Sequence, residues 1–170
     1  MSAHVLSQPR GPALSCGVQG FAVPSMPIGH FRRAEERQFA TMEHAFARHG
    51  GLVGGEEAAW LLRRHAGQPI SALARWIAEH RVVSFTWQSR LLVPLFQFKP
   101  CEMSLRAGVA EAALALAARF DDWAIALWFA QPNDGLDERA PVDVVALDPA
   151  AVARVAQAAG GAWMAAPVAQ

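Results

Sequence analysis

Apolar residues recur at helical spacing along the first half of this chain. Phe39, Met42 and Phe46 repeat every three or four positions, which predicts a helix that begins near Phe31 and ends at the Gly50–Gly51 pair. The same spacing predicts two further helices. They are residues 56–65, with Ala58, Leu61 and Leu62 inward, and a helix that opens at Gln68–Pro69, with Ile70, Leu73, Trp76 and Ile77 inward.

The pattern changes from helical to alternating in the middle of the chain. Val83, Phe85 and Trp87 alternate with polar residues and predict a strand, and residues 91–98 predict a return strand after a short turn. Because proline has no N–H to donate to a ladder, Pro94 indicates that the return strand is at a sheet edge or irregular there. The sequence therefore predicts a two-stranded hairpin.

The last third of the chain again shows helical spacing. A long Ala-rich helix is predicted over residues 105–120, and the next, Trp123–Ala130, is apolar on every side, with Asp121 or Asp122 as its cap. A helix of that kind is either buried or contacts a partner. Proline is common at the first position of a helix, so two further helices are predicted to begin at Pro141 and at Asp148–Pro149.

These elements predict a mainly α fold, namely a helix-turn-helix with a small two-stranded β wing followed by a compact helical region. Residues 1–30 hold four prolines among Gly and Ser and are expected to form a flexible N-terminal arm. Residues 31–100 correspond to the helix-turn-helix-like region and residues 101–165 to the helical region. We expect residues 31–165 to form one globular unit.

Composition narrows the class of protein. The formal net charge is zero, but residues 1–100 hold eleven Lys and Arg against six acids, and residues 101–170 hold four against nine. The excess of basic residues in the first 100 positions is compatible with a surface that binds a polyanion. It is equally compatible with a chance distribution of charged residues along the chain. Cys16 and Cys101 have no metal-ligand spacing, which fits a reducing cytoplasm. We find no signal-peptide pattern and no apolar run long enough to span a membrane.

No motif of an enzyme is found in the sequence. The glycine-rich stretch at residues 50–55 lacks the Lys-Ser/Thr pair of a phosphate-binding loop, and the six histidines do not cluster at metal-ligand spacing. The acid pairs at residues 56–57 and 121–122 lie at helix starts, where they stabilise the helix dipole. We therefore expect a non-enzymatic protein with no catalytic residue, no metal ion and no cofactor.

The segment from residue 52 to residue 98 is typical of a winged helix-turn-helix that binds DNA. Its third helix would enter the major groove with Gln68, Ser71 and Arg75 at the base edges. Arginines around that helix would contact phosphates, and they are Arg63, Arg64 and Arg90. A packed helical hairpin with incidental arginines explains the same pattern.

Seven segments, taken in order, resemble the Xre/MbcA/ParS toxin-binding antitoxin family of bacteria. The resemblance covers about residues 50–160. Its segments are Gly54–Leu62 (GGEEAAWLL), Leu73–Trp76 (LARW), Pro94–Phe98 (PLFQF), Trp123–Trp128 (WAIALW), Pro132–Asn133, Leu136 and Pro141–Asp143. Where the family commonly has Leu-x-Gly-x-x-Pro, this chain has Leu136 followed by Asp, Glu, Arg, Ala and Pro141, so the loop lacks its glycine.

The resemblance implies a cytoplasmic protein that binds a cognate toxin and, as a homodimer, the operator of its own promoter. The toxins of such systems are typically RES-domain proteins that degrade NAD. Together with the apolar Trp helix and the polar loop after it, the resemblance indicates a partner-binding surface at Trp128, Asn133, Asp134 and Asp137. Alternatively both tryptophans belong to the core, and we expect Trp123 to do so.

Three functions from different classes remain open at this point. The first is an antitoxin that neutralises a cognate protein toxin and represses its own operon. The second is a stand-alone DNA-binding transcriptional regulator without a toxin partner. The third and most remote is a small-molecule sensor that uses the Trp-rich helical region as its pocket.

Overall fold

The computed structural model describes residues 28–161, so nearly all of the expected arm over residues 1–30 lies outside the described residues. Within them the chain is mainly helical, with a small antiparallel sheet. The helices are α1 Ile28–Ala47, α2 Gly55–Leu62, α3 Pro69–Ala78, α4 Val109–Ala117, α5 Asp122–Ala130, α6 Pro141–Val144 and α7 Pro149–Gly161. The strands are β1 Leu52–Gly54, β2 Phe85–Trp87 and β3 Arg90–Pro94, and two 3-10 turns cover Leu95–Gln97 and Asp134–Leu136.

The sheet contains the expected hairpin and one strand more. β2 and β3 pair antiparallel, with Phe85 opposite Leu92, and the turn between them has positive φ at Gln88 (47°) and Ser89 (62°). Two successive positive φ values are typical of the turn that matches the twist of a tight hairpin. β1 pairs with the other side of β3, in the order β1-β3-β2. The hairpin is therefore part of a three-stranded sheet rather than a separate two-stranded wing.

Pro94 does not lie on an edge strand, so that part of the expectation was wrong. β3 is the central strand, and Pro94 is its last residue, opposite Leu52 of β1. The ladder ends there because the chain turns into the 3-10 helix, where the next N–H, of Leu95, donates to the carbonyl of Gly51 at 2.9 Å. The expected irregularity at Pro94 is therefore present, at a strand end rather than at an edge.

Two apolar clusters make up the core, and the segment Pro94–Phe98 contributes to both. The first cluster combines α1, α4, α5, α6 and α7, and its buried members include Phe46, Phe96 and Phe129. The second combines α2, α3 and neighbouring strands, and its buried members include Leu62 and Phe98. Phe96 and Phe98 are two residues apart and pack into different clusters, so this short segment joins the two halves of the fold.

Most expected helix ends are confirmed, and two segments are shorter than expected. Asp121 caps α5, since its Oδ1 accepts from the N–H of Ala124 at 2.8 Å, and Asp148 caps α7 in the same way through Ala151 at 2.9 Å. The long helix expected from Leu105 begins only at Val109, because the residue before it, Gly108, has φ +81°.

The second helix ends three residues earlier than expected, and one expected inward residue of the third is exposed. α2 ends at Leu62, and residues 63–68 form a six-residue connection rather than a tight turn. Ile70, which we expected to be inward, lies in the first turn of α3 and is 75% exposed, so its expected burial was wrong. Leu73 is buried as expected, and Trp76 and Ile77 pack against the second cluster.

Gln97 is a fully buried polar residue whose amide makes three hydrogen bonds, one at its oxygen and two at its nitrogen. Its Oε1 accepts from the N–H of Val83 at 2.7 Å, and its Nε2 donates to the carbonyls of Val83 at 2.9 Å and Pro94 at 2.8 Å. Buried polar groups are tolerated when they are paired in this way. The amide therefore fixes the irregular segment that precedes β2 against the end of β3.

The Gln97→Leu substitution keeps the approximate volume of this side chain but leaves three buried backbone groups unpaired. We expect the free energy of unfolding to fall by about 3 kcal/mol or more, since each unsatisfied buried group costs about 1–3 kcal/mol. Urea unfolding followed by circular dichroism measures this. The matched control is Gln157→Leu on the exposed face of α7, which we expect to change stability by less than about 0.5 kcal/mol. Equal stability of the two variants would contradict this role of Gln97.

Candidate functional site

The loop between α5 and α6, Pro132–Arg139, is closed by its own hydrogen bonds. The carbonyl of Asn133 accepts from the N–H groups of Leu136 at 2.9 Å and Glu138 at 3.2 Å, and its N–H donates to the carbonyl of Arg139 at 3.2 Å. The side-chain oxygen of Asn133 accepts from the N–H of Gly135 at 2.9 Å. Asn133 therefore shapes this loop, whatever else it contacts.

Packing also anchors the loop to the rest of the fold. Leu136 is 6% exposed and belongs to the first apolar cluster. Gly135 lies against α7 so closely that a Cβ atom there would stand 3.0 Å and 3.1 Å from the two methyl groups of Val155. The loop is thus held both by hydrogen bonds of its backbone and by the packing of Leu136 and Gly135.

Two successive residues of this loop have left-handed backbone conformations without being glycine. Asp137 has φ 56° and Glu138 has φ 59°. This region costs about 1–2 kcal/mol per residue for L-amino acids, although Asp tolerates it better than most. The N–H of Arg139 donates to the carbonyl of Leu136 at 3.1 Å, so these two residues form the centre of a tight turn of the same kind as the one at Gln88 and Ser89. The loop presents three exposed carboxylates, of Asp134, Asp137 and Glu138.

The two tryptophans of α5 have different environments. Trp123 is partly buried, its ring packs edge-on against Phe85 at 5.5 Å, and its Nε1 donates to Oε1 of Gln38 at 2.8 Å. Trp128 is also partly buried and stands perpendicular to the ring of Phe129 at 5.1 Å. Both tryptophans therefore contribute to the first cluster. Part of the Trp128 ring remains exposed to solvent, four residues before the loop begins at Pro132.

A surface groove of about 640 Å³ lies over Trp123 and Trp87, whose rings are 5.4 Å apart. Its remaining lining is polar and carries charges of both signs, from Arg32, Glu35, Glu36 and Asp121 among others. Trp128 does not line this groove. The Trp-rich pocket that a small-molecule sensor would need therefore involves the sheet as well as α5.

The three residues that we expected to contact base edges lie on one face of α3. Gln68, Ser71 and Arg75 are exposed and follow one another at the spacing of successive turns of α3. Gln68 precedes the helix as its N-cap, and its side chain makes no capping hydrogen bond. The face is therefore available, although the helix-turn-helix geometry is not confirmed.

The three expected phosphate contacts are divided between the two ends of α2. Arg63 and Arg64 follow its last residue, and the guanidinium of Arg63 stacks on the Trp60 ring at 3.5 Å from the centroid. Arg90 instead lines a cavity at the start of α2 together with Glu56 and Glu57. An eight-residue helix is about 12 Å long. Arg90 is thus separated from the other arginines and lies beside two carboxylates.

One polar contact of the fold has no counterpart among the sequence expectations. Nε2 of His49 and Oδ1 of Asp143 are 2.8 Å apart, and both side chains are about two-thirds buried. This pair joins the end of α1 to α6 across 94 positions of sequence. A separation of that size leaves no local signal, so only the tertiary structure reveals the contact.

Residues 28–161 contain no group of three or more His, Cys, Asp or Glu side chains placed to hold a metal ion. None of its helices is long and apolar enough to cross a membrane.

Comparison with known proteins gives no relative from which a function could be transferred. The chain matches no protein-family model, no curated protein and no solved structure.

Asn133→Ala removes the hydrogen bond to Gly135 and should loosen the loop. We expect the free energy of unfolding to fall by about 1 kcal/mol, as for loss of a capping side chain. Thermal unfolding measures this, with the neighbouring exposed Gln131→Ala as the control that should change little. The account of the loop would fail if both variants melted at the same temperature as the parent.

Proposed function

We propose that this chain is a non-enzymatic, antitoxin-like protein that binds and neutralises a cognate protein toxin. The observation that carries the proposal is the loop Pro132–Arg139, which is fixed by internal hydrogen bonds and presents three exposed carboxylates. A surface that is already in its binding conformation loses less entropy when it binds. The partner-contact residues are Trp128, Asn133, Asp134 and Asp137, with Asn133 acting mainly by shaping the loop.

The charge of the loop favours a basic surface on the partner. Asp134, Asp137 and Glu138 are exposed within a segment of eight residues, against one basic side chain, Arg139. Complementary charge steers the encounter and raises the association rate. A carboxylate-rich loop that enters a cationic cleft would block access to that cleft. The resemblance to antitoxin sequences indicates a toxin of the RES type, and on this proposal the chain acts as a homodimer.

The partner is tested by co-expression with the product of the adjacent reading frame. The variant Asp134→Asn/Asp137→Asn/Glu138→Gln removes three charges while keeping side-chain shape, and Asn tolerates the left-handed conformation at position 137. We expect the dissociation constant of the complex to rise at least about tenfold, mainly through slower association. Surface plasmon resonance measures both rates.

The matched control removes three carboxylates elsewhere, in Glu35→Gln/Glu36→Gln/Glu43→Gln on α1. All three residues are exposed, so the net charge changes equally while the loop is untouched. We expect affinity within about twofold of the parent. If the control weakened the complex as much as the loop variant, the effect would be one of net charge. If neither variant weakened it, the interface would lie elsewhere.

Binding to operator DNA is the second candidate function, either alongside toxin binding or alone. It is favoured by the exposed face of α3 that carries Gln68, Ser71 and Arg75. Arg63 and Arg64 lie in the connection that leads into this helix and would contact phosphates. Arg90 contributes less, because it lies beside Glu56 and Glu57.

Electrophoretic shifts with the DNA upstream of the gene test this second function. Specific complexes have dissociation constants of about 10⁻⁸–10⁻¹¹ M. Arg75→Ala should cost about 1–3 kcal/mol if its side chain contacts a guanine. The control Arg154→Ala, exposed on α7, should bind as the parent does. Absence of any shift at low salt would rule out this function for the DNA tested.

A further inference from the structure

A second cavity, of about 450 Å³, lies between the two apolar clusters and is separate from the acidic loop. Phe96 and Val142 of the first cluster form one wall, and Phe98 of the second cluster forms another. Further apolar side chains complete the lining, namely Leu61, Leu95, Met103 and Val145. Sites that bind small molecules typically have volumes of about 300–1,000 Å³ and such predominantly apolar walls.

The charged side chains that line this cavity are two arginines. Arg48 and Arg106 line it together with His49, and within the described residues no carboxylate does. The carboxylate of Asp143 lies 2.8 Å from Nε2 of His49 but does not itself line the cavity. The contacts between basic side chains and carboxylates in the described residues involve His49, His80, Arg81 and Lys99. Neither arginine of the cavity therefore has a carboxylate partner within that part of the chain.

The two arginines are positioned differently. Nε of Arg106 donates to the carbonyl of Phe96 at 2.8 Å, which holds this half-buried side chain at the wall and leaves its terminal nitrogens for another acceptor. Arg48 is exposed at the end of α1 and makes no hydrogen bond among those found in the described residues. Because Arg48 and Arg106 line the same cavity, both guanidinium groups are available to an anion bound there. The apolar part of such a ligand would contact the apolar walls.

From this arrangement we infer that the cavity binds a small organic carboxylate with an apolar body, of the size of a medium-chain fatty acid. The inference concerns a free small molecule and does not depend on the proposed toxin partner. Charge complementarity selects an acid over an alcohol or an amine of equal length. The apolar walls select a hydrocarbon body over a polar one.

Isothermal titration calorimetry of the full chain with hexanoate, octanoate and decanoate tests the inference. We expect saturable binding with one site per chain. Affinity should rise about fourfold for each added methylene group until the cavity is filled. Octanol should bind at least about tenfold more weakly than octanoate, because it lacks the charge.

Two variants separate a specific contact from a general effect of charge. Arg48→Gln, in the residue that follows α1, should weaken octanoate about tenfold and leave octanol unchanged. Arg33→Gln removes the same charge near the other end of α1, roughly 20 Å away, and should bind octanoate as the parent does. Unchanged melting temperatures of both variants verify that they fold.

Four results would overturn the inference. They are no saturable octanoate binding at millimolar concentration, equal affinity for octanoate and octanol, equal weakening by Arg48→Gln and Arg33→Gln, and equal octanoate affinity of the parent and Arg48→Gln. The variants of the Pro132–Arg139 loop leave this cavity intact. Failure of the proposed carboxylate binding can therefore be distinguished from failure of the proposed toxin binding.

Discussion

The three hydrogen bonds of the buried Gln97 amide fix the segment on which the rest of the fold depends. They hold Pro94 and Val83 together, and so define where β3 ends and where the segment before β2 runs. Phe96 and Phe98, on either side of Gln97, then point into different apolar clusters. Because a buried amide is stable only when it is fully paired, the 3-10 turn at this position has one satisfactory arrangement.

The division into two clusters accounts for the location of both candidate sites. The cavity with the two arginines lies along the boundary between the clusters, where helices from each side meet the Pro94–Phe98 segment without filling the space. The acidic loop instead lies on the surface of the first cluster. It is anchored there by the buried Leu136 side chain and by the contact of Gly135 with Val155. A rigid scaffold thus presents a loop for one kind of contact and an apolar cavity for another.

Helical periodicity allowed much of the fold to be predicted, because the spacing of apolar residues within an amphipathic helix identifies the face that is buried. The starts of α5, α6 and α7 followed from Asp121, Pro141 and Asp148, whose capping or backbone chemistry is also local. β1 was not predicted, since three residues that include a glycine carry no usable alternation. The burial of Gln97 was also missed, because a polar side chain reveals its partners only after the chain has folded.

The candidate sites were only partly predictable for the same reason. The acids of the loop were found because Pro132 and Asn133 mark a turn after an apolar helix. The left-handed conformations of Asp137 and Glu138 instead accompany hydrogen bonds that the folded loop forms, from the Glu138 N–H to the Asn133 carbonyl and from the Arg139 N–H to the Leu136 carbonyl. The arginine-lined cavity gave no signal, since its residues come from four separate segments of the chain. Ile70 lies in the first turn of α3, where helical spacing does not determine whether a neighbouring element covers the side chain.

The central claim is that the Pro132–Arg139 loop is fully formed before any partner binds, and amide hydrogen exchange of the free chain tests it most directly. The N–H groups of Gly135, Leu136 and Glu138 are all donated within the loop. The account predicts that they exchange at least about 100-fold more slowly than unprotected amides, as hydrogen-bonded groups in stably folded regions do. Exchange at the unprotected rate would show that the loop is not formed in the free chain, and would contradict the proposed preformed contact surface.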